Sequence, residues 1–249
     1  MVPFGGLYFG ATAFRRSRAR AAALWTAQML EVFTGSSALA DAAAQATIAG
    51  LAAGLADRGR GVLVATGGRS PGPVYDRLSQ APLDWGRIAV TLCDERQVDV
   101  DSPNSNSRLL RERLFVGLAA QARFLPLTDY AEPALKALLP ADVTLLGMGE
   151  DGHVASLIPG SPGLAEAMDP GGERLLAESP AGFGAPPVAR ITLTLPALLQ
   201  TRLILLLISG GVKRQVVDQA LAGADLPVRA ILTQAAAPVR VLWAEAEPR

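Results

Sequence analysis

The chain has 249 residues, 50% of them hydrophobic and 18% charged, with Lys+Arg 23 against Asp+Glu 23. At roughly 150 residues per domain this length fits one sizeable α/β unit, and the apolar share excludes extended disorder. A net charge of +0 removes the basic footprint that nucleic acid or an anionic membrane requires, and one Cys and one His exclude a disulfide framework, a Cys/His zinc cluster and a multi-histidine metal centre.

In chain order, residues 1–28 come first, carrying Arg15, Arg16, Arg18 and Arg20 with no acidic residue before Glu31. Such a composition overlaps organellar transit peptides. The reading adopted is an N-terminal extension of the domain or, alternatively, an upstream start codon with Met29 as the natural initiator, because the domain pattern begins near Leu30. Residues 29–249 are expected to form the α/β domain. Short apolar runs predict strands over residues 30–33, 62–66, 88–92, 143–146, 191–195, 203–208 and 239–243. Between them helices are expected over 37–57, from Pro71 onward, over 105–115 and over 212–222. This alternation predicts a single doubly wound, mostly parallel sheet of Rossmann-like type with helices on both faces and ligands at the carboxyl ends of the strands. The Gly/Pro-rich stretch 180–187 reads as a surface loop. The longest strongly apolar run is 203–208, far short of the ~20 residues that span a bilayer, so no membrane partner and a cytoplasmic location are expected.

Four constellations fall in loops that follow or precede these strands. Thr66-Gly67-Gly68-Arg69-Ser70-Pro71 joins a strand to a helix. Its glycines permit close backbone approach, the helix start offers free N–H groups, and Arg69 adds charge, so the turn suits a phosphate; a plain glycine turn before a proline-started helix accounts for it as well. It matches neither the Walker spacing nor the dinucleotide fingerprint. Asp94-Glu95-Arg96 follows the strand over 88–92, with Asn104 and Asn106 shortly after. Glu95 reads as a tie between this loop and the next helix, whereas Asp94 and Arg96 stay open for a site. Cys93 is assigned to packing.

The third block, Gly147-Met148-Gly149-Glu150-Asp151-Gly152-His153-Val154-Ala155-Ser156-Leu157-Ile158-Pro159-Gly160, runs from a buried strand through three glycines into the only histidine. Histidine, with an ordinary pKa of roughly 6.5, is the usual proton acceptor at neutral pH. Asp151 is placed to orient the ring and stabilise the imidazolium. A lone structural histidine is the commoner case in general; the flanking glycines and the position after a strand favour function here. Last, Arg190-Ile191-Thr192 opens a strand and Gly210-Gly211-Val212-Lys213 opens a helix, which puts two more cations at strand ends or, equally, on a solvated surface.

These blocks, in this order, resemble the 6-phosphogluconolactonases of the glucosamine-6-phosphate isomerase/6-phosphogluconolactonase family, from about Met29 to the C-terminus. The continuation Ala155-Ser156-Leu157-Ile158-Pro159-Gly160 is similar to the lactonase form, where the isomerases/deaminases continue into an Asn-Glu-Pro turn. Two positions depart from the pattern: Ile158 stands where Phe is usual and Val188 where a lysine often precedes Arg-Ile-Thr. The resemblance implies hydrolysis of 6-phospho-D-glucono-1,5-lactone in the oxidative pentose phosphate pathway, without metal or organic cofactor and with a small phosphosugar lactone as partner. It implies His153 as general base and Asp151 as its orienter. Gly67, Gly68, Arg69, Ser70, Asp94, Arg96, Asn106, Gly152, Arg190 and Lys213 would then bind substrate. Arg69, Lys213 and Arg190 are expected at the phosphate, and Arg96 and Asn106 at sugar hydroxyls or the oxyanion. A glucosamine-6-phosphate isomerase/deaminase and a non-catalytic sugar-phosphate module are the alternatives. Oligomeric state is not legible.

Overall fold

The structure, a computed structural model, describes residues 29–245. The expectation for residues 1–28 lies outside the described residues. The elements are β1 (Leu30–Phe33), α1 (Ser36–Arg58), β2 (Gly61–Ala65), α2 (Gly72–Leu78), β3 (Ile88–Leu92), β4 (Asp94–Arg96), α3 (Asn106–Arg113), β5 (Arg123–Leu125), α4 (Glu132–Leu138), β6 (Val143–Leu146), α5 (Leu164–Ala167), β7 (Leu176–Ser179), β8 (Arg190–Leu193), α6 (Leu195–Leu199), β9 (Ile204–Ser209), α7 (Gly211–Ala222), α8 (Pro227–Thr233) and β10 (Val239–Ala244).

Seven strands form a parallel sheet in the order β1-β10-β9-β6-β2-β3-β5. Every residue of β2 (GVLVA) and β6 (VTLL) is buried. Successive strand side chains point to opposite faces, so both faces of the sheet are covered, as the continuous apolar runs require. α1 supplies part of this cover by packing on β2, β6, β9 and β10. It ends at Gly59 in the left-handed conformation, whose N–H returns to the Leu55 carbonyl at 3.0 Å. The doubly wound parallel architecture agrees with the expectation. Its winding is explicit in the strand order: the chain moves outward through β2, β3 and β5, then returns to the other side of β2 with β6 and continues through β9 and β10. The reversal between β2 and β6 is the topological switch point, where such sheets open a crevice at their carboxyl edge.

Three features differ from the sequence reading. The strand expected over 191–195 is β8, and it belongs to a second, antiparallel sheet ordered β4-β8-β7. No crossover helix separates it from β7, so it pairs back on its neighbours instead of entering the parallel sheet. Asp94-Glu95-Arg96, read as a loop, is strand β4 of that sheet, with Asp94 opposite Thr192 and Arg96 opposite Arg190. Finally, α1 is long and apolar enough, by length and composition, to cross a membrane, with mean hydropathy 1.3 over its most apolar window and 39% of that window buried. A search for contiguous Leu/Ile/Val runs overlooks it because its apolarity comes mainly from Ala, with Leu and Ile scattered singly, and its only charged residues are Asp41, Asp57 and Arg58.

The small sheet is tied to the carboxyl edge of the large one through Cys93. Its N–H donates to the Ala65 carbonyl at 2.7 Å, and its own carbonyl accepts from Leu193 N–H at 2.8 Å. β4 and β8 therefore stand directly over the ends of β2 and β3.

Candidate active site

At the switch point lies a cavity of about 570 Å³. Of the residues singled out in the sequence, the turn after β2 contributes Gly67, Gly68, Arg69 and Ser70, β4 contributes Asp94 and Arg96, and α3 contributes Asn106. The loop after β6 adds Asp151 and His153, β8 adds Arg190 and α7 adds Lys213. Gly152 does not line the cavity: its backbone is turned to the other side, where its carbonyl accepts from Val228 N–H at 3.0 Å.

The histidine is held from both ends. His153 Nδ1 lies 2.6 Å from Asp151 Oδ1, and the same oxygen accepts the His153 backbone N–H at 3.2 Å. A carboxylate at Nδ1 selects the Nδ1–H tautomer and leaves the Nε2 lone pair available. The hydrogen bond from the imidazole holds the Asp151 carboxyl below the usual carboxylate range, against the opposing effect of its partial burial. Behind the pair, Gly149 N–H donates to the His153 carbonyl at 3.0 Å and Gly152 N–H to the Gly149 carbonyl at 3.1 Å. A Cβ on Gly149 would overlap the His153 ring and the Asp151 carboxylate, so this approach requires glycine. Ala155, on the cavity wall, has φ 50°, a left-handed conformation that costs a non-glycine residue about 1–3 kcal/mol and clusters at functional sites.

The glycine turn is fixed by two residues the sequence reading did not weigh together. Tyr75, fully buried in α2, accepts the Thr66 N–H at 2.9 Å and donates to the Thr66 carbonyl at 2.6 Å. Burial pushes its phenol well above the ordinary range, so it stays protonated as the donor. On the other side, the Asn106 amide lies against Gly67 so closely that a Cβ there would overlap it. Asn106 Nδ2 donates to the Asp94 carbonyl at 2.9 Å, so the amide joins turn to β4.

Under the cavity floor, Glu95 accepts the Asn106 and Ser107 N–H groups at 2.8 and 2.7 Å and caps α3, which is the tie expected of it. Asp94 is buried and accepts the Ser156 hydroxyl at 2.6 Å. Ser156 had no role in the sequence reading beyond the block it belongs to, and its partner lies 62 residues away. Arg190, 2% exposed, donates from Nη2 to the Pro186 carbonyl at 2.8 Å. Burial pushes its guanidinium down from the ordinary value, as it does the Lys213 ammonium. The stretch 180–187, expected to be a surface loop, brings Gly184 and Ala185 to the cavity wall, because the Pro186 carbonyl anchors it to Arg190. Among the described residues, no group of three or more His, Cys, Asp or Glu side chains is placed to hold a metal ion.

The arrangement offers an oriented imidazole, two cations near a glycine turn and two guanidinium groups on the small sheet, all around one cavity. The family model described as glucosamine-6-phosphate isomerases/6-phosphogluconolactonase matches residues 34–243. A 6-phosphogluconolactonase of Caulobacter vibrioides is 42% identical over 226 residues, covering 87% of this chain and 97% of that protein. One from Rhizobium meliloti is 40% identical over 230 residues, covering 86% and 98%. The crystal structure of a 6-phosphogluconolactonase from Shewanella baltica superposes with a TM-score of 0.80 at 35% identity, covering 87% of this chain and 97% of that one.

Proposed function

The chain belongs to the glucosamine-6-phosphate isomerase/6-phosphogluconolactonase family and is an enzyme of its lactonase type; from that premise we propose that it hydrolyses 6-phospho-D-glucono-1,5-lactone to 6-phosphogluconate with His153 as general base. The observation that carries this reading is the His153–Asp151 pair at 2.6 Å on the wall of a cavity at the switch point. Nε2 removes a proton from water as its oxygen bonds to C1, and negative charge develops on the carbonyl oxygen. The carbonyl then re-forms, the bond from C1 to the ring oxygen breaks, and the imidazolium returns the proton to that oxygen. Asp151 stabilises the imidazolium between the two transfers. General acid/base help is worth roughly 10²–10⁴ in rate, enough for an activated ester without a covalent intermediate.

The Gly67–Ser70 turn, with Arg69 and Lys213, holds the phosphate in this scheme. Arg69 and Lys213 both line this cavity, which supports a shared ligand. The test offers the protein 6-phosphogluconolactone and glucosamine 6-phosphate separately, with lactone decay corrected for spontaneous hydrolysis. Catalysed lactone opening without ammonia release is expected. Deamination without lactone opening, or binding of both without turnover, would overturn the reading.

A further inference from the structure

The amino edge of the parallel sheet, opposite the switch-point cavity, carries its own concentration of positive charge. Arg60 precedes Gly61 at the start of β2, Arg87 precedes Ile88 at the start of β3, and Arg123 opens β5. Gly61 pairs with Ile88 and Ala89 with Arg123, so Arg60 and Arg87 enter level and Arg123 follows two residues on. Neighbouring strands lie about 4.8 Å apart, and all three arginines line one cleft of about 340 Å³, together with Ile88 and Leu138. Among the described residues, no Asp or Glu lines it. Asp142, beside β2, is buried and already engaged: one oxygen pairs with Arg58 and the other accepts the Val62 N–H at 2.8 Å. Arg60 donates to the Ala137 carbonyl at 3.2 Å in the last turn of α4. Arg87 packs so closely on Gly59, the residue that ends α1, that a Cβ there would overlap its guanidinium. Arg87 and Arg123 have no ion pair or side-chain hydrogen bond among the described residues. Helix C-termini carry about half a negative charge each, so the ends of α1 and α4 hold two of the guanidinium groups in place and offset roughly one positive charge.

We propose that this cleft binds a small anion with two linked phosphoryl groups, an inorganic or organic diphosphate. Guanidinium forks pair bidentately with phosphate oxygens, and forks from three neighbouring strands present more donors than one tetrahedral group accepts. With the two helix ends discounted, an excess of about two positive charges remains, which a monoanion does not neutralise. Like charges on neighbouring strands repel, and a guanidinium cannot shed its proton to relieve this; a bound diphosphate turns the repulsion into shared pairing. The volume lies at the small end of ligand sites, roughly 300–1,000 Å³. It suits a diphosphate, with the apolar side chains of Ile88 and Leu138 left for an organic substituent. The site is distinct from the switch-point cavity. β2 runs from Gly61 in the cleft to Ala65 at the root of the glycine turn, about 3.3 Å per residue, so the two openings lie on opposite edges of the sheet. The cleft takes no part in the proposed hydrolysis and does not depend on that reading.

Calorimetric titration with inorganic pyrophosphate, at physiological ionic strength and without divalent cations, tests this on the wild type and on the Arg87→Gln/Arg123→Gln double variant. Both arginines are exposed, so the double variant is expected to fold; Arg123→Gln alone gives the same comparison if it does not. The wild type is expected to bind pyrophosphate about tenfold or more tightly than the double variant, as loss of charge-assisted hydrogen bonds requires. It should also bind pyrophosphate about tenfold more tightly than inorganic phosphate. Lys213→Met, which removes a cation from the switch-point cavity, should leave the part of the binding that depends on Arg87 and Arg123 in place. ADP separates the two sources: tighter arginine-dependent binding than pyrophosphate identifies an organic diphosphate, equal or weaker binding the inorganic one, and both carry the proposal. Equal pyrophosphate affinity in the wild type and the double variant, or binding of inorganic phosphate as tight as that of pyrophosphate, would overturn it. A lowered Tm of the free Arg123→Gln protein with unchanged pyrophosphate affinity would likewise overturn it and leave the arginine a structural role.

Discussion

Individual side chains at this site divide into those that face the cavity and those that hold them there. Tyr75 is of the second kind: its hydroxyl grips both backbone polar groups of Thr66 at the root of the glycine turn, and Thr66 is 4% exposed. Tyr75→Phe keeps the ring and strands those two groups, at a cost of about 1–3 kcal/mol. The expected outcome is a several-fold rise in KM for the lactone with kcat little changed, since the turn loosens and the imidazole does not move. A lowered Tm with unaltered KM would show that Tyr75 serves stability alone. At this scale the sequence was informative about chemistry and silent about support. The histidine was legible because it is unique and follows a buried strand through glycines. Tyr75 and Ser156 were not, because their partners, Thr66 and Asp94, are fixed by the fold: Ser156 and Asp94 lie 62 residues apart.

Elements place these residues by their ends. The turns after β2, β6 and β9 reach the cavity because parallel strands all deliver their carboxyl ends to one edge. That relation was readable from alternating apolar runs, and so were the buried central strands. The small sheet was not. β4 and β7 have three and four residues and no apolar run that a period can detect. β8 has such a run, but its partners were hidden in the charged triplet Asp94-Glu95-Arg96. Glu95 is the hinge of this arrangement, capping α3 from within β4. Glu95→Gln retains shape and weakens two charge-assisted bonds at a helix N-terminus, a loss of about 1 kcal/mol. In a chain of this size that corresponds to a fall in Tm of about 2–4 °C by thermal unfolding, and an unchanged Tm would contradict the capping role.

The molecule as a whole balances 23 cationic against 23 acidic residues, yet it gathers Arg69, Arg96, Arg190 and Lys213 around one cavity. Neutral overall charge is compatible with a site for a small phosphorylated ligand, since fields inside a cleft are set by its own walls. The doubly wound topology supplies the crevice, and the small antiparallel sheet closes one side of it with two arginines that the parallel sheet alone would not provide. Within this frame the single histidine carries the proposed chemistry. The most direct measurement is steady-state hydrolysis of 6-phosphogluconolactone by His153→Ala beside the wild type, with spontaneous opening subtracted. The account predicts a kcat lowered by roughly 10²–10⁴ with KM within a few-fold of wild type and an unchanged Tm; a kcat close to that of the wild type would contradict it.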